Sequence, residues 1–313
     1  MKRDFTKFLD ITKKECEYLL GRAALLKNLR SSGKQYRPLA GKSLAMIFEK
    51  ASTRTRISFE VGIQELGGQA IFLSPNETQI GRGEPIKDTA RVLERYVDAI
   101  MIRTYSQGLV EELASWAHVP VINGLSDLYH PCQILADLFT VKEYLGGLKD
   151  VKIAFIGDGN NVANSWLEAS ILMGFDFSLA TPAGYGPDAV LLARAEKQKG
   201  FRYTHDPVEA VKGCDVVYTD VWVSMGQEKE KKARSRAFAK YKIDDTLLRR
   251  ANRGAIVMHC LPAYRGQEIT DDVFERFSDI IFTQAENRLH VQKALLEWLI
   301  LNEKGKMKNA KNG

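Results

Sequence analysis

Cysteine is scarce in this chain. Its four residues, Cys16, Cys132, Cys214 and Cys260, lie far apart with no C-x-x-C pairing. That spacing speaks against a zinc site and for reduced thiols in a reducing compartment. No apolar stretch is long enough to span a bilayer, so no membrane partner is expected. No signal-peptide pattern is present; Met1-Lys2-Arg3-Asp4 runs quickly into helical sequence, and a mitochondrial presequence would be longer and poor in acids. A cytoplasmic protein is the expectation. Aromatics interleaved with basic residues are missing too. The net charge of +6 sits partly in Lys304, Lys306, Lys308 and Lys311 and partly in the mixed run Lys229 to Arg236. Neither makes a stacking platform, so nucleic acid is not an expected partner and a small anionic substrate is.

What is present suits a soluble globular chain: 313 residues, 45% hydrophobic and 27% charged, enough for two compact domains. Each half alternates strand and helix, which predicts an α/β fold: two domains, each a parallel sheet flanked by helices, joined by long helices. In the first half Leu44–Phe48, Ala70–Leu73, Ala99–Ile102 and Val119–Ile122 read as strands. Ser58–Leu66, Asp88–Tyr96 and Leu109–Trp116 read as helices. In the second half Val151–Ile156, Phe175–Ala180, Val216–Thr219, Ala255–Met258 and Ile280–Phe282 read as strands. The expected division is 1–132 with a returning helix 288–304, a joining helix 133–147, a second domain 148–287, and a flexible basic tail 305–313.

The most informative stretch is Phe48-Glu49-Lys50-Ala51-Ser52-Thr53-Arg54-Thr55-Arg56. It joins an apolar strand to a helix whose apolar positions are Phe59, Ile63 and Leu66 and whose stop is Gly67-Gly68. Stability alone favours Asp or Glu in a helix's first turn; here Arg54 and Arg56 stand there among three hydroxyls. Hydroxyls, free amides and guanidiniums converging at a helix start suit a multiply charged anion, most naturally phosphate. The blander alternative is that Ser52 is an ordinary cap and the arginines a solvated face.

Other polar residues fall where predicted strands end, the edge at which open α/β sheets bind ligands. They are Arg103, His130-Pro131-Cys132-Gln133, Asp220 with Ser224-Met225-Gly226, and His259-Cys260-Leu261-Pro262. Arg288 is expected to open the last helix. Gly157-Asp158-Gly159-Asn160-Asn161-Val162 begins like a dinucleotide fingerprint, but Val162 stands at the third glycine position. Asn160, Asn161 and Asn164 suit a small polar ligand at least as well.

Together, Ser52-Thr53-Arg54-Thr55-Arg56, His130-Pro131-Cys132-Gln133 and His259-Cys260-Leu261-Pro262 resemble the aspartate/ornithine carbamoyltransferase superfamily. Asp220 with Ser224-Met225-Gly226 is similar to its ornithine-binding signature, which the aspartate branch lacks. The resemblance covers nearly the whole chain except the basic tail. It implies that 1–132 binds carbamoyl phosphate and 148–287 binds ornithine. Ser52, Thr53, Arg54 and Thr55 would hold the phosphate; Arg103, His130, Pro131, Cys132, Gln133 and Arg288 would complete that pocket. Asn161, Asp220, Ser224 and Met225 would bind ornithine, with Cys260 and Leu261 between the two substrates. Gln79 matches a residue that reaches a neighbouring subunit's site, and a homotrimer or a multiple of it is implied. A Lys that follows this Gln in some members is here Gly83, beside Arg82.

The implied reaction is attack by ornithine's side-chain amine on carbamoyl phosphate, giving citrulline and phosphate as in arginine biosynthesis. Arg54, Arg103, His130 and Cys260 are the expected catalytic residues, with Cys260 accepting or relaying a proton. No cofactor and no metal are implied, because guanidiniums neutralise the leaving group. The loop from Val223 to about Lys240 is expected to close over ornithine. Three alternatives stand beside this: a nicotinamide-dependent dehydrogenase, a non-catalytic phosphate-binding module, and a carbamoyltransferase acting on putrescine or aspartate.

Overall fold

A computed structural model describes residues 2–74, 83–223 and 228–302. The chain divides into two compact units, one of residues 1–136 with 287–313 and the other of residues 137–286.

The first unit alternates helix and strand. Its elements are α1 (Lys13–Ser31), β1 (Ser43–Phe48), α2 (Thr53–Glu65), β2 (Gln69–Leu73), α3 (Ile86–Leu93), β3 (Ala99–Arg103), α4 (Gln107–Trp116) and β4 (Val121–Leu125). The four strands run parallel in the order β2-β1-β3-β4. Strand β3 is buried throughout, which is why Ala99–Ile102 reads as a continuous apolar run rather than an alternating one. Ile47, Ile100, Ile102, Val110, Leu113 and Val121 form one buried cluster between sheet and helices. Helix α2 starts earlier than its apolar spacing suggests: Ser52 caps it, its side chain accepting from the Thr55 N–H at 3.2 Å. Leu66 is its C-cap, followed by Gly67 in the left-handed region (φ 91°) that glycine adopts without cost.

Helix α5 (Pro131–Leu145) begins with Pro at its first position, where no N–H is missed. The second unit then runs β5 (Lys152–Ile156), α6 (Asn161–Met173), β6 (Asp176–Ala180), α7 (Ala189–Ala195), β7 (Phe201–Thr204), α8 (Pro207–Val211) and β8 (Val216–Thr219). After it come α9 (Lys231–Ala237), α10 (Asp245–Leu248), β9 (Ile256–His259), α11 (Asp271–Arg276) and α12 (Ser278–Asn302). Its five strands are parallel in the order β7-β6-β5-β8-β9. Trp166 on α6 is fully buried and packs edge-on to Phe175 and Tyr218 and stacks on Phe177.

Two expectations fail. Ile280–Phe282 is not a strand but part of α12. Ile281 is buried while Phe282 is 56% exposed; three residues of apolar sequence are too few to separate a strand from a helical turn. Arg288 therefore lies well inside α12 rather than at its start. Strand β7, with the half-exposed sequence Phe-Arg-Tyr-Thr, sits at the sheet edge and was not expected.

Candidate active site

In each sheet the strand order reverses at one point, and the polar residues gather there. In the first unit that point lies between β1 and β3, which pair Phe48 opposite Arg103. The loops leaving these strands are tied together: Glu49 N–H donates to the Arg103 carbonyl at 2.8 Å, Thr104 N–H to Leu125 at 3.0 Å, and Asp127 N–H to Tyr105 at 2.9 Å. Lys50 is paired with Asp127 and lies over the Tyr105 ring. So the segment before Ser52 is held by other loops rather than left free.

Around Thr55 the side chains converge. Arg288 donates from Nη2 to Thr55 Oγ1 at 3.0 Å and from Nη1 to Gln133 Oε1 at 2.8 Å. Arg103 Nη1 stands 3.4 Å from the same hydroxyl. Thr55, Arg103, His130, Gln133 and Arg288 are all buried, whereas Arg54 is exposed. Burial first, then the charges of Arg288 and Arg54, lower Arg103 to about 10. Burial and the cations Arg288, Arg103 and Arg54 hold His130 well below the usual histidine range, so it is a neutral imidazole at physiological pH. Arg288, Arg103 and Arg54 bring like charges together here, and an anion relieves that repulsion.

The remaining first-unit candidates divide. Ser52 is the helix cap; Thr53 is exposed beside it. Pro131 opens α5, and Cys132 is buried with its thiol donating to the Asn123 carbonyl at 3.4 Å and pushed up to about 12 by burial. Arg56 faces away: it pairs with Glu60 one turn on and lies over the Phe72 ring. Gln79 and Arg82 lie outside the described residues.

In the second unit the reversal lies between β5 and β8. Asp220, just past β8, is buried and accepts three hydrogen bonds: from Asn160 Nδ2 at 2.7 Å, from its neighbour Val221 N–H at 2.8 Å, and from Cys260 Sγ at 3.0 Å. Asn160 uses its side-chain oxygen to cap α6 through Val162 and Ala163. Asn161 is half-buried as the first residue of α6. Burial, then the neighbouring Asp220, raises the Cys260 thiol well above its usual range, so it is the donor in this pair. Leu261 follows in the left-handed region (φ 58°). Ser224 and Met225 lie outside the described residues.

The glycine turn that resembled a nucleotide fingerprint has a packing reason. A Cβ on Gly159 would lie 2.2 Å from the Gly186 carbonyl carbon, and Val162 is buried in the core. Ligand atoms of Asp220, His259 and Cys260 lie within 4.8 Å of one another. As a metal set they fit poorly, because both ring nitrogens of His259 are engaged, with the Leu261 N–H and with Glu268. Sequence reasoning passed over Glu268, Gln284, Asp158 and Arg234. The first two are fully buried, and the Asp158–Arg234 pair is buried beside Trp222. None of the four stands out in the sequence, since each lies beside other polar residues and only its burial in the fold marks it.

The model of the carbamoyl-P binding domain of aspartate/ornithine carbamoyltransferases matches residues 3–143, and that of the Asp/Orn binding domain matches residues 149–299. The chain belongs to the aspartate/ornithine carbamoyltransferase family. Among its relatives, the ornithine carbamoyltransferase of Methanoculleus marisnigri is 55% identical over 96% of this chain and 97% of that protein. That of Pelobacter propionicus is 53% identical over 97% of this chain and 100% of that protein. The solved ornithine carbamoyltransferase of Pyrococcus furiosus superposes with a TM-score of 0.88 at 49% identity, covering 94% of this chain and 96% of the other. The family's two-domain α/β architecture is thus that of this chain.

Proposed function

We propose that this carbamoyltransferase transfers the carbamoyl group of carbamoyl phosphate to the side-chain amine of L-ornithine, giving L-citrulline and phosphate. The observation that carries the reading is that each unit has its own polar cluster at its sheet reversal, and the two are dissimilar. One is cationic around Thr55; the other is built on Asp220. A dehydrogenase leaves the first without purpose, and a phosphate-binding module leaves the second without one. The chain's high identity to ornithine carbamoyltransferases over nearly full length supports ornithine over putrescine or aspartate.

The chemistry follows from the groups. Ser52, Thr53, Arg54 and Thr55 take the phosphate, helped by the free N–H groups at the start of α2. Arg103, His130 and Gln133 serve the carbamoyl end. As the tetrahedral intermediate forms, charge grows on the carbonyl oxygen, where Arg103 and Thr55 donate. Neutral His130 can still donate through one nitrogen. Arg54 and Arg288 stabilise the departing phosphate, and no proton need be supplied to it.

Ornithine's amine, with a pKa near ~10.4 by analogy with Lys, arrives mostly protonated. Asp220 takes the α-ammonium, with Asn161, Ser224 and Met225 completing the amino-acid cradle. Cys260 keeps its own proton and donates it in a hydrogen bond to Asp220, so it steadies that carboxylate for the α-ammonium and is not a ready thiolate base.

The reading extends to a homotrimer or a multiple of it, with Gln79 reaching a neighbouring site. The similarity of Thr78-Gln79-Ile80-Gly81 to the family's pattern supports this. Exposed Ile57 on α2 and Ile71 on β2 offer apolar surface for it. A cytoplasmic place in arginine biosynthesis goes with the same reading; among the described residues no helix is long and apolar enough to cross a membrane.

The test is a parallel assay of ureido product from carbamoyl phosphate with ornithine, putrescine, acetylornithine and aspartate. Ornithine is expected to exceed the others by orders of magnitude in kcat/KM. Preference for any other amine sinks the reading.

A further inference from the structure

We propose that His259 is a positioning residue: Glu268 fixes its tautomer so that its Nδ1 holds the Leu261 N–H and, through it, the Cys260–Leu261 segment. The proposal rests on the reading of that segment as part of the transfer site.

The geometry leaves one arrangement of protons. His259 Nδ1 lies 2.9 Å from the Leu261 nitrogen, whose N–H can only donate, so Nδ1 carries no proton. The ring proton is then on Nε2, 3.1 Å from Glu268 Oε1. That oxygen also accepts the Tyr264 N–H at 2.6 Å. Both side chains are fully buried, so either group would be costly to leave without its partner. The opposite tautomer would set two donors against each other at Leu261 and leave Nε2 facing a carboxylate without a proton.

The backbone of His259 is held as well. Its N–H donates to Gln284 Oε1 at 3.0 Å, and Gln284 Nε2 in turn donates to Asp137 at 2.7 Å. So the strand end is fixed on one side by Gln284 and the turn beyond it by the imidazole. Between these anchors lies Cys260, whose thiol meets Asp220 at 3.0 Å. Leu261 is in the left-handed region, which a residue other than glycine occupies at a cost unless its surroundings hold it there. The imidazole bond is what supports it there. His259 and Glu268 are therefore assigned to orientation, not to contact with substrate.

Two substitutions separate the two ring nitrogens. Asn at 259 places a carbonyl oxygen close to where Nδ1 stands; Gln places its polar end near Nε2. His259→Asn is expected to keep kcat within about tenfold of the parent, while His259→Gln loses on the order of 10² in kcat, the scale of a ~1 Å misplacement. Inhibition by inorganic phosphate, whose groups lie on the first unit, is expected to stay within about twofold in both. Equal losses in the two variants, or a fully active His259→Gln, overturn the proposal. If either fails to fold, nitrogen NMR of histidine-labelled parent protein decides: a protonated Nδ1 at His259 overturns it, and a protonated Nε2 supports it. A parent that makes no citrulline sinks the functional reading instead, and the tautomer measurement still reads the His259–Glu268 geometry independently.

Discussion

Cys260 Sγ stands 3.0 Å from Asp220 Oδ1 and donates to it. Burial and that carboxyl group together keep the proton on sulfur far above neutral pH. A thiol in this state is a poor nucleophile even though it is partly exposed. Iodoacetamide at pH 8 should therefore alkylate Cys260 much more slowly than a peptide thiol, as followed by mass mapping of the modified peptide. Asp220→Asn removes the negative neighbour and should speed the modification. Rapid alkylation of the unaltered protein would show that Cys260 is a thiolate and overturn this account of the pair.

His130 gives a pH signature. Its folded-state pKa is depressed by burial and by Arg288, Arg103 and Arg54, so the folded chain resists a proton that the unfolded chain takes up below about 6.5. Unfolded protein then binds more protons than folded protein, and stability falls as pH drops. The slope from this one group approaches about 1.4 kcal/mol per pH unit below the unfolded pKa. Urea midpoints between pH 7 and 5 should decline in the parent and decline less in His130→Asn. Parallel curves for the two proteins would remove His130 as a source of the slope.

The same cation crowding predicts the response to ligand. Burial holds Arg103 at about 10 and the charges of Arg288 and Arg54 add to it, so a bound phosphate relieves the repulsion among these cations. Carbamoyl phosphate at about a hundredfold its Kd should stabilise the fold by ~2.7 kcal/mol and raise Tm accordingly. Arg54→Ala should abolish that rise and carbamoyl phosphate binding while leaving the ligand-free melt unchanged, since Arg54 is exposed. Arg288→Ala should cost about 10²–10³ in turnover. It should also lower the melt, because Thr55 and Gln133 lose a buried donor. An Arg54→Ala protein that still gains stability from the ligand would contradict the assignment.

The architecture was legible because parallel strands buried on both faces write themselves as short apolar runs: Val216–Thr219 has the same bounds in sequence and structure. The first cluster was legible for a different reason. Arg54 and Arg56 break the charge preference of a helix start, although only Arg54 acts on the pocket while Arg56 pairs with Glu60. Which of two arginines two residues apart lies near the pocket depends on helix phase and on Phe72 across the way, and spacing alone does not resolve it. Arg288 was misplaced at a helix start because α12 opens with Ser278-Asp279-Ile280-Ile281-Phe282, apolar enough to imitate a strand. Glu268 and Arg234 were invisible for the opposite reason. Each is one charged residue among many, and only the fold shows that it is buried against a specific partner.

Arg234 carries the last prediction. From α9 its Nη1 donates to Asp158 Oδ2 and to the Trp222 carbonyl, both at 2.9 Å, while Nε donates to Glu230 at 2.9 Å and the guanidinium lies over the Tyr185 ring. One side chain thus ties the turn after β5 to the chain just beyond Asp220. Burial lifts Asp158 to about 6 in spite of this partner. Arg234→Met strands a buried carboxylate, which typically costs about 3–5 kcal/mol. Without the guanidinium Asp158 keeps its proton to higher pH, so the penalty should be largest at pH 7.5 and shrink toward pH 5.5. Adding Asp158→Asn should recover part of it at pH 7.5 and little at pH 5.5. Because Trp222 and Asp158 flank the Asp220 cluster, ornithine KM should rise in Arg234→Met while inhibition by inorganic phosphate is unchanged. Urea unfolding at the two pH values gives the energetic part; a small loss that does not vary with pH would mean the pair contributes no more than a surface ion pair does.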